Sequence, residues 1–155
     1  MKIKELIEIR ELPDLDTLNW ISVNDKDLPS WYPVRYAIMK AIGATDYANW
    51  GHIGTPWSDT EMIGGAGTYM LRGPFGYVLL NASLFPKDKE VALSQLSVSN
   101  RGSGIGTKIM NALKSYADNK GYSLEIYKVT NQKFFDKFKW LEKDGSWFYT
   151  YNPTM

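Results

Sequence analysis

The sequence predicts a mixed α+β domain, with antiparallel strands in its first half and a strand–helix–strand unit in its second. Three observations carry that prediction. Segments with strand character at 68–71, 77–83 and 90–98 are separated by turn residues, Gly73, Pro74 and Gly76, then Pro86 and Asp88. Residues 104–119 place Ile105, Ile109, Ala112, Leu113 and Tyr116 at helical spacing, and Asn119, Lys120 and Gly121 form a C-terminal stop. A further strand at 123–130 follows, and such a unit is parallel with a right-handed crossover.

The remaining elements fill in around this frame. Ile3, Leu6, Ile7 and Ile9 suit either a strand or a helix at 3–10, and Pro13 ends it. Asp14 or Asp16 caps a short helix running to about Ile21. Ser30 is an N-cap, Pro33 fits a first turn, and Val34, Ala37, Ile38, Ala41 and Ile42 recur on one face, which predicts a helix over 31–42. Residues 44–65 are polar, Gly-rich and aromatic, and read as a long loop of the kind that is usually functional. A short helix at 131–139 and a hairpin of 140–143 with 147–151, turning at Asp144 and Gly145, close the domain.

Composition narrows the chemistry. The 155 residues are expected to form one domain over 1–155, and 44% hydrophobic with 23% charged residues excludes a disordered chain. Cysteine is absent, which excludes disulfides, a thiolate nucleophile and cysteine-held metals. His52 is the sole histidine, so no multi-histidine metal site is expected. A net charge of +1 carries no signature of a nucleic-acid or anionic-membrane partner. The start of the chain lacks the apolar run of a signal peptide, and no stretch approaches the roughly 20 apolar residues of a membrane span. The expectation is a cytoplasmic monomer or homodimer.

The informative stretch is Arg101, Gly102, Ser103, Gly104, Ile105 and Gly106, at the exit of one strand and the start of a helix. Glycines there let the backbone come close to a ligand, and a helix N-terminus offers unpaired N–H groups to phosphate. A P-loop requires Lys directly after the last glycine, but Thr107 intervenes before Lys108. A dinucleotide fingerprint requires G-x-G-x-x-G ahead of several βα units; here the spacing is G-x-G-x-G, close to the end of the chain. The segment instead resembles the Arg/Gln-x-x-Gly-x-Gly/Ala signature of the Gcn5-related N-acetyltransferase (GNAT) family. The resemblance covers about 66–151, with Asn131 and the segment 135–140 also at matching positions.

That resemblance implies a GNAT-like acyl-CoA N-acyltransferase fold, its central mixed sheet splayed between strands 90–98 and 123–130 to hold coenzyme A. Acetyl-CoA is the implied cosubstrate, and a small-molecule or protein amine the implied acceptor. The backbone of Arg101, Gly102, Ser103, Gly104, Ile105 and Gly106 would face the pyrophosphate, with the Thr107 hydroxyl either adding to it or serving as an ordinary helix residue. Backbone N–H groups near Leu96 and Val98 would polarise the thioester carbonyl, the pantetheine arm lying beside them like an added strand. Asn131 and Phe135 complete the implied cofactor-binding set.

Two departures from the family pattern concern proton transfer. Phe135 stands where the family often has a Tyr acid, which leaves Tyr127 or Tyr122 as substitutes. The strand 90–98 has no carboxylate past Glu90, so the base candidates are His52, Asp59, Glu61 and Glu125, or bulk water. Tyr47, Trp50 and Trp57 either wall an acceptor pocket or pack in the core. The expected function is direct acetyl transfer to an amine in a ternary complex. The alternative is an acyl-CoA-binding module that has lost its acid and base.

Overall fold

The computed structural model describes residues 18–23, 33–51, 68–100, 102–127, 132–145 and 148–153. Among them, β1 (Ile21–Ser22), β2 (Asp46–Gly51), β3 (Thr68–Gly73), β4 (Gly76–Phe85), β5 (Glu90–Val98), β6 (Ser123–Ile126), β7 (Glu142–Asp144) and β8 (Phe148–Tyr151) form one sheet. Its order is β1-β2-β3-β4-β5-β6-β8-β7, and every pairing is antiparallel except β5 with β6. The helices are α1 (Pro33–Ile42), α2 (Ile105–Lys120) and α3 (Gln132–Asp136). This is the expected class, a mixed α+β fold whose antiparallel strands lead into one parallel β-α-β unit. Among the described residues no helix is long and apolar enough to cross a membrane.

The core lies between one face of the sheet and the pair α1 and α2, which touch each other. Ile109, Met110 and Leu113 of α2 meet Ile38 and Met39 of α1 over Leu71, Leu80, Val91, Leu93, Leu124 and Ile126. Each such side chain, fully buried, contributes about 1.5–3 kcal/mol relative to exposure. The buried stripe of α1 is rotated from the one its periodicity suggests. Val34, Ile38 and Ile42 are inside as expected, but Arg35 and Met39 join them, and Ala41 faces solvent. Small alanines gain little from burial, so larger neighbours set the face. Arg35 is tolerated there because its guanidinium lies 3.8 Å from the Tyr69 ring centroid.

The clearest correction concerns the expected loop at 44–65. Its first part is the strand β2, with Tyr47 opposite Ile21 on one side and Leu71 on the other. Asp46, Tyr47, Ala48 and Asn49 have weak strand character as a sequence, but hydrogen-bonding partners on both edges supply what residue type does not. Arg72 fastens the pairing through an ion pair to Asp46 at 2.9 Å. Residues 52–65 lie outside the described residues, as do 3–10. The helix expected to run to Ile21 is not seen over 18–23; Ile21 and Ser22 are an edge strand instead. Three other elements are shorter than expected or shifted: β6 covers 123–126, α3 covers 132–136, and β7 begins at Glu142.

Candidate functional site

The strand β5 changes character halfway along. From Glu90 to Leu93 it is paired on both sides, to β4 and to β6. Among the described residues the β6 register ends at Leu93 opposite Ile126, with the Tyr127 N–H donating to the Leu93 carbonyl at 2.9 Å as the last rung. The β4 register continues to Val98, but not in step. Asn81 pairs with Gln95 and Ala82 with Leu93, so Ser94 is an extra residue, a β-bulge.

This bulge decides which amides face where. In a strand, the N–H and C=O of one residue point to the same edge, and the edge alternates along the chain. The Leu93 carbonyl points to β6, since Tyr127 bonds to it. Past the bulge, the Ser99 N–H donates to the Tyr77 carbonyl at 2.9 Å, so Ser99 and Ser97 present their backbone to β4. Leu96 and Val98 therefore direct theirs away from β4, toward the side that β6 occupies lower down. Their side chains pack against the core, which anchors the strand while its backbone faces outward.

The same edge leads into the glycine turn. The Tyr77 N–H donates to Ser99 Oγ at 2.9 Å, closing a reciprocal pair that fixes where β5 ends. The Ser103 hydroxyl donates to the Asn100 carbonyl at 2.7 Å, which ties the turn internally. Gly102 and Gly104 have φ of +76° and +82°, and a Cβ on either would meet nothing within 4 Å. Both positions need glycine for conformation, and both leave open space on the outside. No side chain caps α2, its first turn holds no acid, and among the described residues no acceptor engages the amides of 102–107. The half-buried Thr107 sits in that first turn. Such a set of unpaired N–H groups, with the positive end of the helix dipole behind it, suits an anion.

Gly106 is needed for a different reason. A Cβ there would come within 3.0 Å of the Phe134 ring, so the start of α2 rests directly on α3. Phe134 is thus the aromatic at this end of the helix. Lys137 holds its ammonium 4.6 Å from the centroid of the same ring. Phe135, the expected cofactor contact, turns into the core instead and packs on Phe134 and Tyr149. Phe134 also packs against that core, from the side of Gly106.

The proton-transfer candidates are scattered. Tyr127 donates its hydroxyl to Glu90 Oε2 at 2.9 Å, which turns it toward the start of β5, away from Leu96 and the glycine turn. Burial, then the bond to Glu90, pushes its phenol far above the usual range, so it holds its proton tightly. Burial also raises Glu90; the Tyr127 bond opposes that shift, while Glu125 and Asp88 add to it. Glu125 lies opposite Ala92 and Thr150, on the same face as Glu90. Tyr122 packs against the core beside the end of α2, and Tyr47 is in the core as well. His52, Asp59, Glu61, Trp57, Arg101 and Asn131 lie outside the described residues, as does the side chain of Trp50. Among the described residues no three His, Asp or Glu side chains gather as metal ligands would.

No protein-family model matches this sequence, and no curated protein does. Twelve solved chains match by structure. One is the anti-CRISPR protein AcrVA5, at 16% identity and a TM-score of 0.41, over 56% of this chain and 99% of that one. Another is a candidate N-acetyltransferase from Lactobacillus plantarum, at 15% identity and a TM-score of 0.42, over 88% of this chain and 99% of that one. Likeness at this level leaves function to be read from the chain's own register and turn.

Proposed function

We propose that the protein is an N-acetyltransferase that moves the acetyl group of acetyl-CoA directly to an amine. The observation that carries this reading is the outward-facing backbone of Leu96 and Val98 beyond the last described β5–β6 rung, leading to the amides of 102–107, which no acceptor among the described residues engages. A pantetheine arm has amides spaced to pair with the first, and a pyrophosphate has the charge to suit the second. Gly102 and Gly104 leave room for it, and Phe134 backs the helix that receives it.

In this reading, the Leu96 or Val98 N–H donates to the thioester oxygen and stabilises the negative charge that develops on it. An ammonium acceptor first loses a proton, its nitrogen then attacks the carbonyl carbon, the carbon–sulfur bond breaks, and the nitrogen gives up a second proton to leave the amide. The thiolate then takes a proton and leaves as coenzyme A. A thiol of pKa about 8.5 is a tolerable leaving group without an acid, which suits the engaged Tyr127 hydroxyl and the buried Phe135. Deprotonation is the harder step, because a lysine-like amine has a pKa of about 10.4. His52, Asp59, Glu61, Glu125 and water are the routes that follow from the sequence.

One observation favours a second reading, an acyl-CoA-binding module without turnover: β5 carries no acidic or basic side chain past Glu90. Incubation with acetyl-CoA and a panel of amines, read by thiol release, separates the two. Turnover is the expected result; coenzyme A binding with no release on any amine selects the module. Absence of any coenzyme A binding removes both.

A further inference from the structure

The Tyr127 side chain spans the same stretch of β5 and β6 as the last backbone rungs, but on the sheet face opposite α1 and α2. Its backbone N–H makes the final rung among the described residues, to Leu93. Its ring packs on Ala92 and Phe85 and sets an edge against Phe148 of β8, with centroids 5.6 Å apart. Its hydroxyl reaches back to Glu90 at the first residue of β5. Side chain and main chain together therefore fasten residues 90–93 to 123–127 twice, once through the ladder and once over the face.

We infer that Tyr127 is a positioning residue, whose hydroxyl bond to Glu90 fixes the place where the β5–β6 ladder ends and so the start of the gap along Leu96 and Val98. The inference rests on the coenzyme A reading for its consequence, though not for its mechanical part. A ladder end bound only by main-chain bonds frays, because the terminal rung has a neighbour on one side only. At this end the fraying would carry Tyr127 away from Leu93 and alter the gap. The bond from a neutral phenol to a carboxylate acts against that, and it is of the stronger, charge-assisted kind.

Tyr127→Phe removes the oxygen and keeps the ring contacts, so it isolates the bond. Amide hydrogen exchange reads the mechanical part. The amide of residue 127 is expected to exchange on the order of tenfold faster in the variant, with amides between β4 and β5 unchanged. Glu90→Gln, whose amide oxygen still accepts from the phenol, is expected to keep that exchange slow. Calorimetry reads the functional part with coenzyme A and with adenosine 3′-phosphate 5′-diphosphate, the same molecule without its pantetheine arm. Tyr127→Phe is expected to bind coenzyme A several-fold more weakly and the nucleotide unchanged. Unaltered exchange at residue 127 overturns the inference, as does unaltered coenzyme A affinity or an equal loss for both ligands. If the unsubstituted protein binds neither ligand, the proposed function falls, while the exchange measurement still decides the clamp.

Discussion

The two halves of β5 make different use of the same nine-residue strand. Glu90–Leu93 is hydrogen-bonded on both edges, and Val91, Ala92 and Leu93 are essentially sealed from solvent. Ser94–Val98 keeps only β4 among the described strands, and each of its residues is half-buried. One half holds the sheet together and the other presents backbone. The lesson is that a site can be placed on a rigid element without loosening it, provided partnering stops at a defined residue.

Substitution should separate the halves. The largest effect on stability is expected at Leu93, which is 1% exposed: Leu93→Ala should cost about 2–5 kcal/mol, whereas Leu96→Ala, at a half-buried site, should cost clearly less. Denaturant titration checks this, and equal losses would mean that the two halves are equally structural. Next comes the turn to which the outward half leads. Gly104→Glu puts a carboxylate into open space and should weaken coenzyme A binding by about 100-fold or more, a loss of at least about 2.8 kcal/mol. Its cost to folding should stay near the roughly 1–2 kcal/mol of a left-handed non-glycine residue. Calorimetry alongside thermal unfolding distinguishes the two, and undiminished binding would end the anion reading of the turn.

A smaller effect sharpens the same boundary from the helix side. Gly106→Ala must push the Phe134 ring aside by a few tenths of an ångström, for an expected loss of about 1–3 kcal/mol. Combining it with Phe134→Leu should recover part of that loss, and a double-mutant cycle with no coupling would refute the contact. The smallest effect belongs to the paired half. Glu90 has its carboxyl raised by burial, so the folded state holds the proton more tightly than the unfolded chain does. Its favourable contribution is complete below its ordinary value and is lost as pH rises through the raised one. Glu90→Gln should therefore unfold at a slightly higher temperature than the parent at pH 8, with the gap closing below about pH 4. A gap that widens in acid would show that the sign is wrong.

How much of this was legible beforehand follows the same division. The bounds of β5 could be read because Pro86 and Asp88 mark a turn on one side and the glycines mark one on the other. The helix α2 could be read from its period and from Gly121. The strand β2 could not, because its support comes from β1 and β3 rather than from its own residues. The glycine turn was visible as a pattern, since positive φ demands a particular residue type. The bulge at Ser94, the turn of Tyr127 toward Glu90, and the packing of Phe134 under Gly106 were not. Each depends on register or on a one-residue rotation, which no residue type encodes.

The bulge has a consequence for how such a chain can change over time. Ser94 matters as a count rather than as a side chain: it shares with Gln95 the one place opposite Asn81, so the units after it keep their phase against β4. Point substitutions along 95–98 leave that phase untouched, so the outward presentation of Leu96 and Val98 is insulated from ordinary sequence drift. Deleting Ser94 would leave a regular ladder in which Gln95 alone stands opposite Asn81 and those two peptide units still face away from β4.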